Sequence, residues 1–76
     1  MDYPGLEPLF GQQCIAVIGN RSFVGTLQPV ANSKATVAMR KLPDDVASRY
    51  DFAINGVAAL DVGAITFVQR LADYSQ

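Results

Sequence analysis

Phe23-Val24-Gly25-Thr26-Leu27-Gln28-Pro29-Val30 is the stretch on which the reading of the fold turns. Phe23 and Leu27 share one side at period two, the pattern of a half-buried strand, with Gly25 between them. A glycine inside a strand marks a sharp bend or a close backbone approach. Pro29 has no N–H to give to a ladder, so it belongs at a strand end, an edge or a bulge.

Upstream, Gln13-Cys14-Ile15-Ala16-Val17-Ile18 reads as a first strand, stopped by the turn-rich Gly19-Asn20-Arg21-Ser22. Before it, residues Tyr3 to Phe10 carry Leu6, Leu9 and Phe10 at spacings that suit one helical turn, kept short by Pro4 and Pro8. Downstream, Asn32-Ser33-Lys34 is a polar turn, and Ala35 to Leu42 alternates again, with Val37 and Met39 opposite Thr36 and Arg40. Leu42-Pro43-Asp44-Asp45 interrupts the pattern, and the residues to Arg49 read as a loop or short irregular turn. Tyr50, Phe52, Ile54, Ala58 and Leu60 then recur at even spacing and suggest a single fourth strand; the alternative is a hairpin turn at Asn55-Gly56 that divides it. Asp61-Val62-Gly63 is a tight connection to a last strand, Ala64 to Leu71. Five short strands with a bend in the second describe an all-β antiparallel barrel.

The chain has 76 residues, enough for one domain, with a core spanning about residues 6–71 and a tail, 72–76, expected to fray. Half of the residues are hydrophobic. So small a core cannot hide that many apolar side chains, which points to self-association. No apolar run approaches the roughly 18 residues of a membrane helix, and Met1-Asp2-Tyr3-Pro4 lacks a basic segment followed by an apolar one. A soluble, untargeted, cytoplasmic chain is expected.

The side-chain inventory excludes much chemistry. There is no His, and Cys14 is the single cysteine, so imidazole catalysis, a thiolate metal site and an internal disulfide are all ruled out. Phosphate-binding glycine motifs and a nucleophile elbow are absent. We expect no enzyme, no metal and no cofactor. Six Lys/Arg against seven Asp/Glu give no general basic field, so any nucleic-acid contact must be local. Cys14, in an apolar strand, reads as a small buried hydrophobe.

The strand pattern carries a resemblance. Phe23-Val24-Gly25-Thr26-Leu27 followed by Val30 resembles the first signature segment of Sm/LSm and Hfq-like proteins. Leu60-Asp61-Val62-Gly63-Ala64-Ile65-Thr66-Phe67-Val68 resembles the second. The similarity spans roughly Leu6 to Leu71. It implies an Sm-like (SH3-like) five-stranded, strongly bent antiparallel barrel with a short N-terminal helical segment. It further implies a homo-oligomeric ring of about five to seven subunits, closed by pairing the fourth strand of one subunit with the fifth of the next. Val57, Ala59, Ile65 and Phe67 are the interface candidates, and single-stranded RNA is the implied ligand.

The binding motifs of that family are largely replaced. Aligned on Gly25 and Leu27, its pocket Asp, stacking residue and Asn correspond to Ala31, Ser33 and Ala35, and its Arg-Gly turn to Asp61-Val62. A register one residue away brings Asn32 and Lys34 to the first two positions. The RNA-contact candidates are therefore Asn32, Ser33, Lys34 and Asp61, with Lys34 on phosphate and Asn32 or Ser33 on a base. The alternatives are ordinary turn chemistry, or a Lys34–Asp61 ion pair that stabilises a ring. A ring serving as a structural or protein-interaction module without RNA remains the second functional reading.

Overall fold

The computed structural model describes residues 5–33 and 35–74. Six strands make one sheet: β1 (Gln13–Ile18), β2 (Arg21–Pro29), β3 (Thr36–Arg40), β4 (Ile54–Asn55), β5 (Val57–Asp61) and β6 (Phe67–Arg70). Their order is β5-β3-β2-β1-β6, with β4 added beside β2. All pairs are antiparallel except β2–β4. The class is all-β, with one short α-helix among the described residues, α1 (Asp44–Ala47). The sheet is open: among the described residues β5 and β6 pair on one side only.

β1 and β2 form a hairpin whose register runs from Gln13↔Thr26 to Ile18↔Arg21. Its loop is just Gly19-Asn20. Gly19 takes a φ of 60°, the positive value that two-residue hairpin loops need at their first position. Gly25 marks a close approach to β3. A Cβ there would lie 2.7 Å from both the Arg40 carbonyl oxygen and Met39 Cβ, so only hydrogen fits. Pro29 ends β2, where its missing N–H costs no ladder bond.

Apolar side chains on the two sheet faces build two cores. The inner one gathers Leu6, Cys14, Ala16, Phe23, Leu27, Val37, Met39 and Leu60. A 3-10 turn, Glu7–Leu9, sits at its edge and adds Leu9 and the following Phe10. This turn is the part of the expected N-terminal helical segment that is described; Tyr3 and Pro4 lie outside the described residues. The outer core joins Ile15, Val24, Leu42 and Leu71 to Val46, Ala47, Tyr50, Ala53 and Tyr74. Hence Cys14, Ile15 and Ala16 are all buried although they alternate in direction.

The outer core has a cover, in the segment where the sequence predicts a loop or short irregular turn. After Pro43 the chain makes α1, where Asp44 and Asp45 suit the helix N-terminus, and continues into a 3-10 turn, Ser48–Tyr50. Val46, Ala47 and Tyr50 face the sheet at helical spacing.

The expected continuous fourth strand is corrected. Tyr50 belongs to the 3-10 turn, and the chain breaks at Gly56, whose φ is 84°. This is where the alternative placed a hairpin, yet the two pieces do not pair with each other. β4 runs parallel to β2 (Phe23↔Ile54), and β5 is antiparallel to β3 (Val37↔Leu60). The Asn55 side chain fixes the crossing: Oδ1 accepts from Leu42 N–H at 2.8 Å, and Nδ2 donates to the Leu42 carbonyl at 3.1 Å. Among the described residues there are therefore six strands, one more than expected. The last strand is also shorter, because Val62–Ala64 coil into a 3-10 turn before it. After β6 residues 71–73 form a turn, Arg70 pairs with Asp73 at 2.7 Å, and Tyr74 packs on the outer core.

Candidate functional site

Of the RNA-contact candidates, Asn32, Ser33 and Asp61 lie at one end of the sheet, where the β2–β3 loop meets the β5–β6 turn. Thr36 pairs with Asp61, and the Val62 N–H donates to the Ala35 carbonyl at 2.8 Å, so the two segments touch. Asn32 is exposed in the left-handed region, φ 63°, a conformation that Asn tolerates. Ser33 is half-buried, and its N–H donates to the Val30 carbonyl at 3.2 Å. Lys34 lies outside the described residues. Asp61 is exposed and its Oδ1 accepts from the Gly63 N–H at 3.0 Å, which caps the 3-10 turn.

The chemistry of this end is thin. Residues 30–36 and 61–66 include no aromatic side chain. A base needs a flat group to stack on and partners for its polar edge. Asn32 can offer an amide, but the neighbouring Ala31 and Ala35 offer nothing, and the Asp61 carboxylate disfavours phosphate.

The interface candidates map onto the open edges. Val57 and Ala59 lie on β5 and Phe67 on β6. Ala59 is exposed and Phe67 is 45% exposed, whereas Val57 and Ile65 are half-buried against the inner core. Ile65 precedes β6 rather than belonging to it.

A concavity missed in the sequence lies on the other side of the sheet. It is open to solvent, holds about 260 Å³ and is lined by Gln13, Val46, Arg49, Tyr50, Leu71 and Ala72. Tyr50 is also the centre of an aromatic group, with Phe52 at 6.4 Å and Tyr74 at 6.1 Å between ring centroids. Phe52 is 55% exposed. The helical spacing of Val46 and Tyr50 was the available signal; Gln13 and Leu71 come from distant strands.

Cys14 is not reactive. It is fully buried, its Sγ donates to the Gln12 carbonyl at 3.4 Å, and burial pushes its pKa up to about 11 against a smaller lowering by Arg70. Among the described residues no helix is long and apolar enough to cross a membrane.

The chain matches no protein-family model, no curated protein and no solved structure.

Proposed function

We propose that this chain is an Sm-like subunit that assembles with copies of itself into a ring and binds single-stranded RNA. The observation that carries the reading is the pair of open strands, β5 and β6, at the two ends of one sheet. Each offers unpaired backbone groups, and an antiparallel β5–β6 junction between neighbours satisfies both at once. A head-to-tail contact of this kind is heterologous and closes when its rotation divides a full turn, here with about five to seven copies.

Other features agree with an Sm-like barrel. The second strand is long, at nine residues, and has Gly25 at its middle. A short helical turn precedes β1, and a tight 3-10 turn joins β5 to β6. Exposed Phe67 and Ala59 give the edges apolar side chains to bury. Among the residues of β5 and β6 only Asp61 and Arg70 carry charge, so little opposes the pairing.

Size-exclusion chromatography with light scattering tests the ring. Wild type should elute as one assembly, and Phe67→Glu should fall apart into folded monomers. A wild-type monomer at micromolar concentration refutes the proposal. Fluorescence anisotropy with U-rich and A-rich strands tests the ligand. The second reading, a ring without RNA, is favoured by the bare loop around Asn32 and predicts no binding even at low salt.

A further inference from the structure

We infer that the concavity on the outer face, and not the β2–β3 loop, holds an unpaired nucleobase; this inference rests on the single-strand reading above and gives it a site. The pocket supplies what the loop lacks. Its lining includes two apolar side chains, Leu71 at 8% exposure and Val46 half-buried. Tyr50 adds an aromatic ring, flanked edge-on by Phe52 at an interplanar angle of 69° and tilted against Tyr74 at 56°. A base stacking beside this group gains sequence-tolerant affinity.

The polar groups of the lining suit a base edge. Gln13 carries one acceptor and two donors on a planar amide, the bidentate pattern that reads a heterocycle. Arg49 adds a flat fork of donors that can bond to ring nitrogens and carbonyls or stack on the ring. At about 260 Å³ the space falls just below the usual small-molecule range of about 300–1,000 Å³, so it admits one flat ring system.

Among the described residues of the lining Arg49 alone carries charge, and the aromatic ring and amide beside it suit a planar heterocycle with polar edges. The strand's phosphates then remain at the rim, and stacking supplies most of the affinity.

The experiment combines an NMR titration with strand binding. Adenosine and uridine, added separately to the assembled protein, should shift amides at Gln13, Arg49, Tyr50, Leu71 and Ala72. In anisotropy with labelled oligo-A and oligo-U, Tyr50→Leu should weaken the better strand about tenfold, in line with loss of one stacking partner. Gln13→Ala changes an exposed side chain and should also weaken it, which guards against a folding defect in the Tyr50 variant. Asn32→Ala should bind as wild type does. Raising salt from about 50 to about 200 mM should cost far less than the 10³-fold or more of a phosphate-dominated contact.

Strands bound equally by wild type, Tyr50→Leu and Gln13→Ala, with shifts around residues 30–36, would overturn this site and leave the proposed function standing. Neither nucleoside nor strand bound would overturn both. Shifts at these amides with benzoate and none with nucleosides would assign the pocket to an organic acid and defeat the inference.

Discussion

Replacing Gly25 by alanine tests the central feature of the sheet. The new methyl would sit 2.7 Å from the Arg40 carbonyl oxygen, 2.7 Å from Met39 Cβ and 3.1 Å from the Met39 carbonyl carbon. Carbon atoms rest at about 3.5–4.0 Å, so β2 and β3 must part by roughly 1 Å beside the Thr26↔Arg40 pair. The obstacles are backbone and Cβ atoms, which cannot swing aside as a flexible side-chain end can. Overpacking a core costs about 1–3 kcal/mol, and a backbone obstacle puts this site at the upper end, about 3 kcal/mol. A chain of this length has about 4–11 kcal/mol in all, so the loss is a quarter or more of it. The melting temperature should drop by roughly 12–24 °C. Urea unfolding followed by far-ultraviolet circular dichroism, at one protein concentration for all samples, measures the change. Gly63→Ala is the control: its Cβ would meet only Asp61 Oδ1, at an ordinary 3.5 Å, and stability should move by less than about 0.5 kcal/mol. An unchanged urea midpoint for Gly25→Ala would refute the close-approach argument.

Other substitutions probe single contacts. Asn55→Ala removes both hydrogen bonds to the backbone of buried Leu42 and should cost about 2–3 kcal/mol in urea unfolding, whereas a loss under about 0.5 kcal/mol would deny the crossing its clamp. Asp61→Ala should lose about 1 kcal/mol through the uncapped turn and Asp61→Asn much less, since the amide oxygen can still accept from Gly63; equal losses would point to charge instead. The Cys14 thiol, raised by burial from its ordinary 9.0 to about 11, keeps a proton that the unfolded chain loses. Its contribution to stability is therefore intact below pH 9 and falls as pH rises toward 11, by at most about 1.4 kcal/mol per pH unit. Wild type should lose stability relative to Cys14→Ala over that window, and parallel pH profiles would contradict the shift.

Strands built by simple alternation were legible from the residues. β1 runs over Gln13–Ile18 as read, and Phe23, Leu27, Val37 and Met39 share the inner core because period two holds through β2 and β3. The same rule misled at residues 50–60. Even spacing carried from Tyr50 to Leu60, but the residues belong to a helical turn, a strand on β2 and a strand on β3, and periodicity does not reveal a change of partner. Gly56, with its positive φ, was the local sign of the break. The meeting of the Asn32 loop with Asp61 follows from the register Thr36↔Asp61, which a resemblance could suggest and composition could not. The outer pocket was out of reach, since Gln13, Tyr50 and Leu71 converge only through long-range pairing: the Leu71 N–H donates to the Gln13 carbonyl at 2.8 Å.

The burial of β1 on both faces bears on how its pairing is chosen. In a sheet with one wet side, a strand that slips by one residue turns its apolar set to water, and the slip is rejected on that ground. Cys14, Ile15 and Ala16 would exchange one dry interior for another. Hydrophobicity alone therefore discriminates weakly between the two alignments. The choice falls to the two-residue span of Gly19-Asn20 and to the difference in volume between isoleucine and its smaller neighbours. A loop lengthened by one residue should yield a chain with two competing alignments and doubled amide signals along β1.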